Sequence, residues 1–253
     1  MMNETFMERD DLRANAAFPV TRYSAIERIR SADPDARRTA FGDLVEGYWK
    51  PVYKHLRLTW HLDPDDARDL TQGFFAEAFQ KEWLERFEPG KAKFRTFVRV
   101  CADRFVMNTR QSAARLKRGG GVQTLSLDFD GAEREVSSQV PASAMPEPDE
   151  LFHQEFVRAL FDRVVSELRR EYDEKDRPVH FLLFERYDLD PVDGVSYALL
   201  AKEFGLTATQ VTNTLAQVRR RFRERALADL RGLCGSDEEF RREARELFGM
   251  EIT

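Results

Sequence analysis

Apolar residues recur every three or four positions along almost the whole chain, and no stretch keeps the strict alternation of a half-buried strand. The pattern predicts helices over 22–31, 35–58, 63–82, 94–118, 149–171, 178–188, 196–204 and 208–231, and a last one in "SDEEFRREARELFG". Asp63 is placed to cap the third of these, with Pro64 at its first position. Gly119-Gly120-Gly121 is a strong stop for the helix that begins at Phe94. The fold class read from this pattern is all-α.

The pattern lapses between 122 and 148. "VQTLSLDFDGAEREVSSQVPASAMPEP" is rich in Ser and Pro, and from Asp128 to Glu150 its carboxylates are opposed by Arg134 alone. A stretch of this kind reads as an acidic linker between two small helical domains. The expected organisation is an N-terminal extension (1–34), a first helical domain (35–121), the linker (122–148), a second helical domain (149–232) and a helical C-terminal tail (233–253). No internal repeat is visible.

Composition narrows the classes. With 253 residues, 42% hydrophobic and 34% charged, the chain can build small cores with extensive charged surface. The two cysteines, Cys101 and Cys234, form no C-x-x-C pair, and His55, His61, His153 and His180 show no ligand spacing. This argues against a structural zinc site or a disulfide framework and fits a reducing cytoplasm. The acidic start "MMNETFMERDDLRAN" does not read as a secretory signal. No run approaches the roughly 18 apolar residues of a membrane span.

The formal net charge of −5 conceals two basic segments. From Lys91 to Arg118 the positives are Lys91, Lys93, Arg95, Arg99, Arg104, Arg110, Arg115, Lys117 and Arg118, against Asp103 alone. At about 100° per residue, Phe94, Phe97, Val98, Cys101 and Phe105 share one face, and Arg95, Arg99, Arg110 and Lys117 fall roughly opposite. An apolar stripe with a basic back suits a helix laid along phosphates.

The second basic segment is "VSYALLAKEFGLTATQVTNTLAQVRRRFRERAL". Leu200, Ala201 and Phe204 pack one helix, Gly205 makes a turn, and Thr207 with Gln210 forms a capping box for the next. Val211, Leu215, Val218 and Phe222 then share a face, with Thr209, Asn213, Ala216, Arg220 and Glu224 opposite, flanked by Thr212, Gln217 and Arg223. That is the layout of a helix-turn-helix, whose early polar groups reach base edges while later arginines meet phosphates.

"DPDDARDLTQGFF" adds an Asp-Asp-x-x-Asp motif, Asp65, Asp66 and Asp69. In a magnesium-dependent isoprenyl diphosphate enzyme such a motif needs a second Asp cluster, and neither "DEKD" nor "DLDPVD" supplies one. Carboxylates in a first helical turn also satisfy free N–H groups and the helix dipole. On the helical wheel Ala67, Leu70, Phe74 and Ala78 face inward, and Asp65, Asp69, Gln72 and Ala76 face outward.

Taken together, the segments resemble an extracytoplasmic-function sigma factor of bacterial RNA polymerase, over about residues 35–232. "DDARDLTQGFFAEAF" is similar to the core-binding segment, "FRTFVRVCADRFVMNTRQSAARLKRGGG" to the minus-ten segment, and "SYALLAKEFGLTATQVTNTLAQVRRRFRERA" to the minus-thirty-five helix-turn-helix. The resemblance implies a non-enzymatic initiation factor without cofactor or metal. Its partners would be core RNA polymerase and promoter DNA, with an anti-sigma factor or a Ser/Thr kinase as a further regulator.

By the same resemblance Asp65, Asp69 and Gln72 bind core polymerase. Arg95, Arg99, Arg104, Asn108, Arg110, Lys117 and Arg118 meet the minus-ten element. Thr209, Thr212, Asn213, Gln217, Arg220 and Arg223 meet the minus-thirty-five element. The linker threads toward the polymerase active site. The chain departs from the family pattern at Gly73, where an acid usually follows the Gln, at Phe97, usually Trp, and at Arg104 and Asn108, commonly Asn and Asp. Promoter preference is therefore not implied. A kinase would supply charge near Gly73 through Thr71, but Thr71 falls among apolar positions, which favours a hydroxyl bonded back to its own helix. A helix-turn-helix regulator that needs no polymerase is the nearest rival reading.

Overall fold

The computed structural model describes residues 24–113, 127–137, 146–191 and 194–249, and all regular structure among them is helical. In chain order the helices are α1 (Ala25–Ile29), α2 (Pro34–Thr59), α3 (Pro64–Gln80), α4 (Phe94–Ala113), α5 (Phe129–Ser137), α6 (Pro148–Glu174), α7 (Pro178–Phe184), α8 (Tyr197–Phe204), α9 (Ala208–Leu233) and α10 (Asp237–Phe248). Two compact units emerge: one drawn from 22–160 and 230–253, the other from 161–229. The divisions fall inside α6, after Leu160, and inside α9, after Asp229.

The larger unit is built around α2. Its buried face carries Leu44, Val45, Tyr48, Val52, Tyr53 and Leu56. The Tyr48 ring stacks on Phe156 at 5.2 Å and meets the Phe94 edge at 5.7 Å, and its hydroxyl donates to the Leu233 carbonyl at 2.8 Å. A Cβ at Gly47 would stand 2.3 Å from Leu233 Cδ2, so glycine lets the end of α9 lie this close to α2 without moving the Leu233 side chain. Asp63 caps α3 by accepting the Asp66 N–H at 2.9 Å, with Pro64 at the first position, as the sequence predicts.

The segment expected as a linker is in part a packed helix. Residues 129–137 form α5, whose Phe129 and Ala132 are buried. Phe129 meets the rings of Trp49 at 5.3 Å and Tyr53 at 5.2 Å. Two of the carboxylates that made the stretch look like a solvated tether, Glu133 and Glu135, are engaged by α2. Glu133 is gripped by Arg57 through two bonds of 2.8 and 2.6 Å and accepts the Tyr53 hydroxyl at 2.7 Å. Glu135 pairs with Lys50 and Lys54, both at 2.6 Å. An acidic helix thus lies along the Lys50–Lys54–Arg57 row. Residues 122–126 and 138–145 of the expected linker lie outside the described residues.

The tail expected at 233–253 is helical from Asp237 to Phe248 and belongs to this same unit. Ser236 caps it by accepting the Glu239 N–H at 3.2 Å, and Phe240, Ala244 and Phe248 are buried.

The smaller unit packs the second half of α6 (Val164, Leu168, Tyr172) with α7 (Phe181, Leu183, Phe184), α8 (Leu200, Ala201) and α9 (Val211, Leu215, Val218, Phe222). A π-helical turn at Glu185–Leu189 follows α7. It carries Asp188, which accepts two hydrogen bonds from Arg219 of α9 at 3.0 and 2.9 Å.

Between α6 and α9 lies a charged cluster centred on Glu171, which accepts from Arg221 at 2.9 Å, Arg225 at 2.7 Å and Lys175 at 2.6 Å. Burial works to raise this carboxyl, but the hydrogen bonds from Arg221 and Lys175 and their charges outweigh it and hold it down at about 2. A depressed carboxylate contributes stability that is complete above its unfolded pKa and is lost as pH falls through the folded value. The contribution of Glu171 should therefore fade from about pH 4.5 down to about pH 2. With solvent reaching one side of the cluster, Glu171→Gln should cost about 1–2 kcal/mol at neutral pH. It should also flatten the drop in the smaller unit's urea midpoint between about pH 5 and about pH 3. The measurement is a urea titration read on the Leu215 and Val218 amide resonances. Equal pH slopes in wild type and variant would remove Glu171 as the source.

Candidate protein and nucleic-acid interfaces

On α3 the sequence-predicted face is partly realised. Asp65 and Asp69 are exposed, and neither has an ion-pair partner among the described residues. Gln72 is half-buried. The inward stripe is Ala67, Thr71, Phe74, Phe75 and Ala78, with Leu70 at its half-buried edge. Thr71 is fully buried, and its hydroxyl donates to the Ala67 carbonyl at 2.7 Å. It is not placed to accept a phosphate in this conformation. A Cβ at Gly73 would stand 3.2 Å from Phe105 Cζ, so a glycine there suits the approach of α3 to α4. That gives the departure after Gln72 a packing reason.

The basic back expected on α4 requires the clearest correction. Phe94, Val98 and Phe105 are buried as predicted, together with Ala102 and Val106, while Phe97 and Cys101 are half-buried. Burial pushes the Cys101 thiol up to about 11, so it is poorly reactive at neutral pH. Arg95, however, is only 8% exposed and forms an ion pair with Glu243 of α10, itself 1% exposed. Arg99 is half-buried between Asp103 and Asp149, each at 2.8 Å. A helical wheel treats the face opposite the core as free, but here α10 and the start of α6 cover its N-terminal part.

Asp103, the lone acid of this segment, is an anchor. Its Oδ1 is 2.7 Å from His55 Nε2 and accepts the Trp60 indole N–H at 2.7 Å. Burial alone would raise the carboxyl, but these bonds and Arg99 outweigh it and leave it below the usual range. Further along, α4 does present a polar strip. Arg104, Met107, Asn108 and Arg110 are exposed, with the Arg110 guanidinium 5.2 Å from the Trp60 ring centre. Met107 is 49% exposed between two of the predicted residues and was not picked out from the sequence. Lys117 and Arg118 lie outside the described residues.

The α8–α9 pair follows the sequence reading closely. Ser196 caps α8, accepting the Leu199 N–H at 3.2 Å. Gly205 ends the helix at φ 67°, a left-handed conformation that glycine adopts at little cost. Both halves of the capping box are present: the Thr207 N–H donates to Gln210 Oε1 at 2.8 Å, and the Gln210 N–H donates to Thr207 Oγ1 at 3.2 Å. Val211, Leu215, Val218 and Phe222 are buried. Thr209, Thr212, Asn213, Gln217 and Arg220 are all exposed along one side of α9, and Arg223 is half-buried. Thr212 bonds its hydroxyl to the Ala208 carbonyl at 3.0 Å, leaving Asn213 and Gln217 as the amides on that side. Arg220 and Arg223 have no carboxylate partner among the described residues, whereas Arg219, Arg221 and Arg225 of the same helix are all paired.

Among the described residues no group of three or more His, Cys, Asp or Glu side chains could hold a metal ion, and no helix is long and apolar enough to cross a membrane. No family model matches the chain, and neither a curated protein nor a solved structure is significantly similar to it.

Proposed function

We propose that this chain is a transcription initiation factor of the extracytoplasmic-function sigma type, with no catalytic chemistry of its own. The observation that carries the reading is the selective freedom of α9. Of its basic residues, those facing the rest of the unit are neutralised, while Arg220 and the amides Asn213 and Gln217 stand on one exposed side above a fully apolar base. A capped helix entered through a tight glycine turn, with short polar groups early and arginine later, suits the reading helix of a helix-turn-helix in a DNA major groove. In this reading α8 and α9 recognise the upstream promoter element. Arg104, Asn108 and Arg110 of α4 meet the minus-ten element, and Asp65, Asp69 and Gln72 dock on core RNA polymerase. The polymerase supplies synthesis, and this chain supplies promoter choice and strand opening.

Run-off transcription on genomic fragments with core RNA polymerase tests the proposal. Wild type should give promoter-specific RNA, and a regulator that acts without polymerase would give none. A selection from randomised upstream sequence should then separate reading from anchoring. Asn213→Ala should change the preferred sequence, costing about 1–3 kcal/mol at one base pair through loss of a bidentate amide contact. Arg220→Ala should weaken all upstream sequences about equally, because a phosphate contact carries no sequence information. An unchanged motif with Asn213→Ala and an altered one with Arg220→Ala would reverse these roles.

A further inference from the structure

The N-terminal half of α4 is occupied by carboxylates from two other segments of its own unit. Glu239 of α10 accepts the Phe94 N–H at 2.5 Å, and its second oxygen accepts the Gly235 N–H at 3.0 Å. Glu243, one turn on, pairs with the buried Arg95 and lies 2.7 Å from Lys93. Glu246 lies 2.8 Å from Lys93. Asp149, in the first turn of α6, takes Arg99 at 2.8 Å. These acids occupy cationic side chains and a helix-start N–H at the beginning of α4. Carboxylates at helix positions 239, 243 and 246 repeat down one face of α10, while Phe240, Ala244 and Phe248 hold that helix in the core.

The arrangement is expensive for a purely structural helix. Arg95, Glu239 and Glu243 are each under a tenth exposed, and desolvating charged groups offsets much of the gain from pairing them. Apolar residues at 95 and 243 would pack the same space without that cost. A helix end needs a cap, which Glu239 supplies, but it does not need an arginine beside it. The pairing makes sense where Arg95 and Lys93 have a second, anionic partner.

We infer that α10 is an autoinhibitory cover, occupying the basic start of α4 with carboxylates that nucleic acid must displace. The inference rests on α4 being a nucleic-acid-binding helix. In the covered state Arg104, Asn108 and Arg110 stay exposed among the described residues of α4. With α10 displaced, Lys93 and Arg95 at the start of the helix become available as well. Such a cover holds free protein off DNA and yields where a strand is presented at high local concentration, as on a polymerase.

The test uses the full chain and its variant Glu243→Gln with Glu246→Gln, which keeps the apolar face of α10 and the Glu239 cap. Tryptophan fluorescence and far-UV circular dichroism verify folding. Binding of a fluorescein-labelled single-stranded DNA of mixed sequence is followed by anisotropy over a range of salt. The double substitution should tighten binding at low salt by about 10-fold and steepen the salt dependence by about one to two ion equivalents. Arg95→Ala in the double-substituted chain should abolish most of the gain. Equal affinity and salt slope in the full chain and the folded double variant would overturn the cover, and so would a gain that survives Arg95→Ala. Run-off by the wild type with core polymerase is scored in parallel. Product without any gain in the double variant sinks the cover and leaves the initiation-factor reading standing. A gain without run-off product sinks that reading and leaves the cover standing as a gate on nucleic acid.

Discussion

Lys54→Met should lower the stability of the larger unit by about 3 kcal/mol, toward the lower end of the cost of orphaning one partner of a buried ion pair. Lys54 is fully buried. It projects from the apolar face of α2 and bonds Glu155 of α6, which is 3% exposed, and Glu135 of α5 at 2.6 Å. Removing the ammonium takes the buried Lys54 charge away from Glu155, which keeps Arg158 at 2.5 Å, while Glu135 keeps Lys50. Residual pairing keeps the loss below that of a fully isolated carboxylate. Lys54→Met together with Glu155→Met should recover most of the loss, since replacing both partners with apolar groups of similar size is often nearly neutral. The three tryptophans, Trp49, Trp60 and Trp83, all lie in the larger unit, so urea denaturation followed by tryptophan fluorescence reads this transition. A loss under about 1 kcal/mol for the single variant, or no recovery in the double, would show that water already reaches the pair.

That lysine also marks where sequence reading stops. Helix existence, the Asp63 cap, the Thr207–Gln210 box and the free side of α9 were legible because each depends on residues within about one or two turns of one another. The burial of Lys54 was not, because its partners lie 81 and 101 residues away. Arg95 and Glu243 are separated by 148 residues. A wheel drawn on α4 finds Phe94, Val98 and Phe105 of the buried stripe, yet it has no means of showing that a helix near the C-terminus meets Arg95. One signal was present. Lys54 falls between Tyr53 and Leu56 in the core register of α2, and a charge there asks for a buried counter-charge elsewhere.

The acidic segment at 128–137 was misjudged for a related reason. Its composition is that of a soluble tether, and composition does not distinguish carboxylates facing water from carboxylates facing Lys50, Lys54 and Arg57. Phe129 was the residue that favoured packing, since it brings an aromatic ring that Trp49 and Tyr53 enclose. Acidic side chains of α5 lie on the α2 row and those of α10 on the start of α4, so part of the basic charge is neutralised within the unit.

Reversing Asp65 and Asp69 to Lys together should weaken binding to core RNA polymerase by about 100-fold, roughly 3 kcal/mol, if the two carboxylates meet basic groups across the contact. Both side chains are exposed on the side of α3 away from Ala67, Phe74 and Ala78, and neither is tied to a cation among the described residues. Their reversal should therefore be felt by a partner before it is felt by the fold. Asp65 does sit in the first turn of α3, where a carboxylate complements the helix dipole, so its reversal should cost about 0.5–1 kcal/mol of stability. Asp66→Lys is the control that separates the two effects. It occupies the same first turn and suffers the same dipole loss, but it points about 100° round the helix from Asp65. The control should therefore bind core polymerase nearly as wild type does, at similar reduced stability. Raising the salt should weaken wild-type binding and leave the double reversal less affected, because screened attraction is what the reversal removes. Competition of labelled wild type from core polymerase by each unlabelled variant provides the measurement. Wild-type affinity in Asp65→Lys/Asp69→Lys, or an equal loss in Asp66→Lys, would take the α3 face out of the docking surface and return those aspartates to the role of a helix start.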